Sequence, residues 1–196
     1  MADTKYTKGT TPIGEAYYAH LISPEEYQGK STNKLTLMLK LSPKDTEALK
    51  KKIDAEWQKF VESEEGQKHK YKYDFANGFK EYKDAEFFKF KMTHIIKTQR
   101  GEWERTVPMF DAACKELKEP VELGNGSKVR VAYELSPYYI SDKNYGISLR
   151  LVGVQVLKLE SVEETADSMG FHEEEGYREE DNDTIPFDEV DGDGDF

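Results

Sequence analysis

Gly124-Asn-Gly-Ser-Lys-Val-Arg-Val-Ala-Tyr-Glu-Leu135 and Ile147-Ser-Leu-Arg-Leu-Val-Gly-Val-Gln-Val-Leu-Lys-Leu159 are the stretches whose reading decides the fold. Gly124-Asn125-Gly126 marks a turn. From Lys128 to Leu135 the side chains alternate: Val129, Val131, Tyr133 and Leu135 point inward, Lys128 and Arg130 outward. That two-residue period belongs to a half-buried strand. Ser141 to Gly146 connects to the second run, where Ile147, Leu149 and Leu151 share a face. Beyond Gly153 the apolar phase moves to Val154 and Val156. A one-residue slip at a glycine is what a β-bulge produces, and bulges let a small barrel bend.

Upstream, Ile13 to Ile22 reads as a strand closed by Ser23-Pro24, and Lys34 to Leu41 as another. In the latter, Leu35, Leu37, Leu39 and Leu41 oppose Thr36, Met38 and Lys40. The period then lengthens. Ser42-Pro43-Lys44-Asp45 is a helix start, with a capping serine, a proline at the first helical position and an acid three residues after the cap. Leu49, Ile53, Trp57 and Phe60 follow at helical spacing, which predicts one amphipathic helix over 43–63 and packs Trp57 on the body. Residues 68–83 interleave five Lys with Tyr71, Tyr73, Phe75, Phe79 and Tyr82. With Asn77-Gly78 as a turn, they form a hairpin or a long ordered loop. Glu86 to Ile96 is a strand with Phe88, Phe90 and Met92 on one face and Phe87, Lys89 and Lys91 on the other. Thr98 to Arg105 is a polar connection carrying Trp103, and Val107 to Leu117 a short strand or extended segment. Strands, turns and one helix make a mainly β chain, a closed or partly open antiparallel barrel.

Charge divides the chain at about residue 160. Residues 161–196 hold 15 Asp and Glu against the single Arg178, a net of −14, whereas residues 1–160 carry 24 acids against 27 Lys and Arg, a net of +3. The tail repels itself and has little to bury, so it is expected to be disordered. It reads either as a solubilising segment or as an imitation of nucleic acid tethered to a basic body. The domains are therefore a body of 1–160 and a tail of 161–196. The lone Cys114 excludes an internal disulfide, fits a reducing compartment, and reads as a small buried residue. No apolar run is long enough to span a bilayer, which places the chain in the cytoplasm.

Catalysis finds little support. His20, His69, His94 and His172 are scattered without zinc spacing, and phosphate-loop and nucleophile-elbow motifs are absent. Asp191-Gly-Asp-Gly-Asp195 resembles an EF-hand loop, but its sixth position is Phe196 in place of Gly. Neither enzyme nor cofactor nor metal is expected. What the chain does carry is Lys and Arg interleaved with aromatic rings, and single-stranded nucleic acid needs both: cations along the backbone and flat surfaces for unpaired bases. The candidates are Phe87, Lys89 and Lys91, then Arg100, Trp103 and Arg105, then Lys128, Arg130 and Arg150. Tyr71, Tyr73, Tyr138 and Tyr139 join them. Trp103, set between charges, is the best candidate for a stacking platform.

Gly126-Ser-Lys-Val-Arg-Val131, Ser136-Pro-Tyr-Tyr139 and Gly146-Ile-Ser-Leu-Arg-Leu-Val-Gly-Val-Gln-Val156, followed by an acidic end in Asp-Phe, resemble the single-stranded DNA-binding proteins of tailed bacteriophages. The likeness spans residues 86–160 and the tail. It implies an OB-fold, a five-stranded barrel that coats single strands without sequence preference in viral replication, recombination and repair in the host bacterial cytoplasm. It also implies that Asp191, Asp193, Asp195 and the terminal ring of Phe196 contact a viral DNA polymerase and helicase/primase, and that the tail competes with DNA. A homodimer is a further partner carried by this reading. The rival reading is an acidic DNA mimic that blocks a host nucleic-acid-binding enzyme, and a third is an RNA-binding OB module.

Overall fold

The alternation read from the sequence becomes strand in each of its main runs. The computed structural model describes residues 6–160 and residue 162. Five strands make the body: β1 (Gly14–His20), β2 (Lys34–Lys40), β3 (Ala85–Thr93), β4 (Ser127–Ser141) and β5 (Asn144–Lys158). They pair in the order β4-β1-β2-β3-β5, and β5 returns to β4, so the sheet closes into a five-stranded barrel. Four seams are antiparallel. The fifth, between β3 and β5, is parallel, with Lys91 beside Arg150.

Closure gives the inward residues one shared interior. Leu35, Leu37 and Leu39 of β2, Phe88 and Phe90 of β3, Val129, Val131 and Leu135 of β4, and Ile147, Leu149 and Leu151 of β5 are each at most 2% exposed. Burying a side chain of this size is worth roughly 1.5–3 kcal/mol. The slip at Gly153 is present as expected. Ala132 faces Gly153 while Tyr133 faces Leu151, so Val152 is the extra residue of a bulge and stands partly exposed.

Helix α1 (Pro43–Glu62) starts where the cap predicts: the Ser42 hydroxyl accepts from the Asp45 amide at 3.2 Å and donates to the Asp45 carboxylate at 2.7 Å. Its buried stripe is Thr46, Leu49, Ile53 and Trp57. Trp57 lies parallel to Phe75 (ring centroids 5.0 Å apart) and to Tyr145 (5.7 Å), with Tyr71 edge-on. The helix is thereby fastened to β5 through an aromatic cluster, and the cluster also orders the segment after it. Ala76 enters as a backbone bridge to Gly146, its amide donating to the Tyr145 carbonyl and its carbonyl accepting from Ile147. A side chain at 146 would meet the Ala76 carbonyl oxygen at 2.1 Å, so only glycine admits this approach.

Three readings need amendment and one, Val107 to Leu117, is narrowed. Asn77-Gly78 is a bend within the loop. The hairpin turn is Lys83-Asp84, both with positive φ, joining Phe79–Tyr82 to β3 as a two-residue hairpin of primed type requires. The polar connection is itself a hairpin, Ile95–Thr98 with Gly101–Glu104. Within Val107 to Leu117 the only strand is Met109–Phe110, parallel to Val154–Gln155. Cys114 is exposed, not buried, because the chain turns there around Asp111: Cys114 adopts φ +60, and the Asp111 carboxylate accepts from the amides of Ala113 and Lys115. Apart from Val162, the tail with Asp191, Asp193, Asp195 and Phe196 lies outside the described residues.

Candidate nucleic-acid interface

Strand register lays a row of side chains across the outside of the barrel. His20 of β1 faces Thr36 of β2, Thr36 faces Lys91 of β3, Lys91 faces Arg150 of β5, and Arg150 faces Glu134 of β4. Neighbouring rows set Lys34 beside Thr93 and Met38 beside Lys89. Residues two apart on a strand share a face, so Lys89, Lys91 and Thr93 stand outside while Phe88, Phe90 and Met92 fill the barrel. Walls rise around this floor. Ser136, Tyr138, Ile140 and Ser148 come from β4 and β5, Arg105 from the end of the Gly101–Glu104 strand, and Lys80 from Phe79–Tyr82. Three cavities run into one another. The first, at Arg105, Ile140 and Arg150, shares Lys34, Lys91, Tyr138 and Ser148 with the second, which contains Glu25 and Thr36. The second shares Glu25, Lys80 and Lys89 with the third, bounded by Tyr18, Met38 and Tyr82.

The groove has an excess of cations. Lys34, Lys80, Lys89, Lys91, Arg105 and Arg150 border it. Glu25 grips Lys89 with both carboxylate oxygens at 2.7 and 2.8 Å, and Glu134 reaches Arg150 at 3.5 Å. Lys34 donates to the Thr93 hydroxyl at 2.7 Å. Among the described residues, no carboxylate pairs with Lys91. Desolvation in the groove, with the like charges of Lys34, Lys89 and Lys80, holds its ammonium below the usual lysine pKa. An anion entering here relieves both costs.

Of the residues singled out in the sequence, Lys89, Lys91, Arg105, Tyr138 and Arg150 are brought together in this groove. Trp103 is 48% exposed on the strand leading to Arg105 and shares its face by alternation, and Arg100 is exposed at the tip of the same hairpin. The others fall elsewhere. Phe87 is on the outer face as read, but at 4% exposure it is sealed under Tyr17 and the Phe79–Tyr82 strand, with no free ring face. Tyr71 and Tyr139 belong to the aromatic cluster by the helix: Tyr71 donates to the Gly66 carbonyl, and Tyr139 stacks on His69 at 3.8 Å. Tyr138 and Tyr139 are consecutive in a strand and so point to opposite sides. Tyr73 is exposed beside that cluster, its amide held by the Tyr145 hydroxyl. Lys128 is engaged by Glu15 at 2.6 Å, and neither it nor Arg130 lines the groove.

Sequence reading missed Lys34, Thr36, Lys80, Tyr18 and Tyr82. Lys34 and Thr36 share the polar phase with Met38 and could have been found that way. Tyr18 could not: it occupies a bulge between Tyr17 and His20 with φ +47, its amide donating to the Asn125 side chain at 2.9 Å. This backbone presents its ring beside Tyr82, edge-to-face with centroids 5.7 Å apart.

No family model matches the chain, and no curated protein matches it by sequence. Solved structures do. The single-stranded DNA-binding protein gp2.5 encoded by bacteriophage T7 is 20% identical with a TM-score of 0.60, over 89% of this chain and 99% of that one. The single-stranded DNA-binding protein of bacteriophage Enc34, solved in complex with single-stranded DNA, is 14% identical with a TM-score of 0.57, over 79% of this chain and 88% of that one. Another structure of the Enc34 protein gives 15% identity and a TM-score of 0.56. The sequence resemblance to phage single-stranded DNA-binding proteins is thus met by a shared architecture, and the fold of this chain is theirs.

Proposed function

We propose that this protein binds single-stranded DNA without sequence preference and serves phage DNA replication, recombination and repair. The observation that carries the reading is the groove, where six cations from five segments converge beside exposed aromatic rings. Phosphates supply the anions that Lys34, Lys80, Lys91 and Arg105 lack among the described residues, and unpaired bases the flat faces that Tyr138, Trp103 and the Tyr18–Tyr82 pair can meet. A titration of labelled oligo-dT against duplex of the same sequence tests it. With about 3–5 phosphates neutralised and a slope of roughly 0.7 per phosphate, log K against log salt falls with a slope near −2 to −3.5. Equal affinity for duplex and single strand overturns the reading.

Trp103→Ala is expected to weaken oligo-dT binding by about 1–3 kcal/mol, the worth of one base–aromatic stack, with melting unchanged. Normal binding combined with earlier melting assigns the ring to packing instead.

In this reading the tail, Asp191, Asp193, Asp195 and Phe196 included, is both a competitor for the groove and the contact for a viral polymerase and helicase/primase. Its net −14 is tethered to a body at +3, so its effective concentration at the groove is high. Truncation after residue 160 is expected to tighten DNA binding, most at low salt and least above ~0.3 M, where the Debye length has shrunk to several Å. Removing Phe196 alone leaves DNA affinity in place and abolishes partner binding. Unchanged affinity of the truncated protein at low salt returns the tail to a solubilising role.

A further inference from the structure

The middle of the groove contains one polar atom out of place. Thr36 lies on the outer face of β2, yet it is 2% exposed, and its hydroxyl has no hydrogen-bond partner among the described residues. A buried hydroxyl left unpaired costs stability that a methyl group would not. It lines the cavity that also contains Lys34, Lys80, Lys89, Lys91 and Glu25. Register places it directly opposite Lys91, which no carboxylate among the described residues neutralises.

Glu25 stands at the same place for a different reason. Its backbone is tied to the start of β2, the Glu25 amide donating to the Lys34 carbonyl at 2.9 Å and the Glu25 carbonyl accepting from the Thr32 amide and hydroxyl. The loop therefore holds this carboxylate over Lys89, where its two oxygens occupy positions that two phosphate oxygens could take.

We propose that Thr36, Lys34 and Lys91 form a discrete seat for one backbone phosphate on the groove floor, and that Glu25 is a carboxylate stand-in on the adjoining Lys89, displaced when a strand enters. The inference rests on the single-strand-binding reading and assigns atoms within it. The Thr36 hydroxyl donates to a phosphate oxygen, and the lysines supply the charge. The depressed pKa of Lys91 agrees, since a seated phosphate offsets the repulsion from Lys34, Lys80 and Lys89.

Thr36→Val and Glu25→Gln in the full chain, titrated with labelled oligo-dT at two salt concentrations and followed by melting, test this seat. Thr36→Val keeps the shape and removes the hydroxyl. It should bind about tenfold more weakly, the worth of a hydrogen bond to a charged group, while melting at the same or a higher temperature because an unpaired buried atom has gone. Glu25→Gln frees Lys89. It should bind several-fold more tightly at low salt, with a salt slope steeper by roughly 0.7, one additional phosphate neutralised. Thr36→Val with wild-type affinity, or with an affinity loss matched by a loss of melting temperature, overturns the seat. Glu25→Gln with unchanged affinity and slope overturns the stand-in. Failure of the wild-type protein to bind oligo-dT overturns the underlying function instead.

Discussion

Lys91→Glu is expected to weaken single-stranded DNA binding by about 2–4 kcal/mol, roughly 30- to 1,000-fold, without lowering the melting temperature. The size follows from position. Lys91 is the third member of the row His20, Thr36, Lys91, Arg150, at the parallel seam between β3 and β5. A strand crossing the groove must pass it. Reversal removes one attraction for phosphate and introduces a repulsion at the same point, both in a partly desolvated site. Folding should not suffer, because the native side chain is opposed by Lys34, Lys80 and Lys89 rather than supported. A carboxylate at 91 would meet those three ammonium groups favourably. Arg130→Glu is the internal control: the residue is exposed on β4 but away from the groove lining, so its reversal should cost far less affinity. Equal losses for the two variants would mean that binding follows total charge and not this groove, and unimpaired binding by Lys91→Glu would mean that the strand does not pass Lys91. The measurement is oligo-dT titration at fixed low salt, with thermal melts of both variants.

Trp57→Ala is expected to destabilise the fold by about 3–5 kcal/mol, a drop of roughly 6–20 °C in melting temperature for a chain of this size. Trp57 is 6% exposed and contacts Phe75, Tyr145, Tyr71 and Phe60, so its removal opens a void that rigid rings cannot collapse to fill. Urea unfolding of the two proteins measures the difference. A cost below about 1 kcal/mol would show that the helix does not depend on this cluster. Lys91→Glu and Trp57→Ala thus report on separate parts of the molecule: one lowers affinity at constant stability, the other stability first.

Much of this architecture was legible because its signals are local. Ser42-Pro43 starts a helix wherever it occurs before an apolar stripe, and the Leu35–Leu41 and Val129–Leu135 alternations need no knowledge of partners. The bulge at Gly153 was visible as a change of phase within one strand. The groove was legible only in part. Lys89 and Lys91 announced themselves by facing away from Phe88 and Phe90. Their meeting with Lys34, Lys80, Arg105 and Arg150 depends on which strands become neighbours when the barrel closes, and no single stretch encodes that. The same limit explains Phe87, whose outward phase was right but whose ring is covered by the Phe79–Tyr82 strand. Lys83-Asp84 carries none of the glycine or asparagine pairing that usually signals a primed turn, so the sequence offers Asn77-Gly78 as the turn of a hairpin or of a long ordered loop, six residues before the hairpin turn itself. Cys114 followed residue-type preference, whereas the turn around Asp111 decides its exposure.

The barrel's last strand has a bearing on how the chain is made. β1, β2 and β3 emerge from the ribosome first and can pair with one another, but β1 has to wait for residues 127–129 of β4, and β3 for Arg150 of β5. Thr7–Thr10 waits for residues 132–135. Until residue 158 has left the exit tunnel, the nascent sheet has two open edges and a half-built apolar face, the condition in which strands pair with the wrong neighbour. The 15-residue β4 and β5, joined across Asp142-Lys143, form a hairpin whose own contacts are local and therefore quick. They arrive together and close both edges in one event. A chain that stops short of β5 would keep most of its lysine-bearing surface but never acquire the closed barrel beneath it, and should be recovered as aggregate rather than as a weak binder.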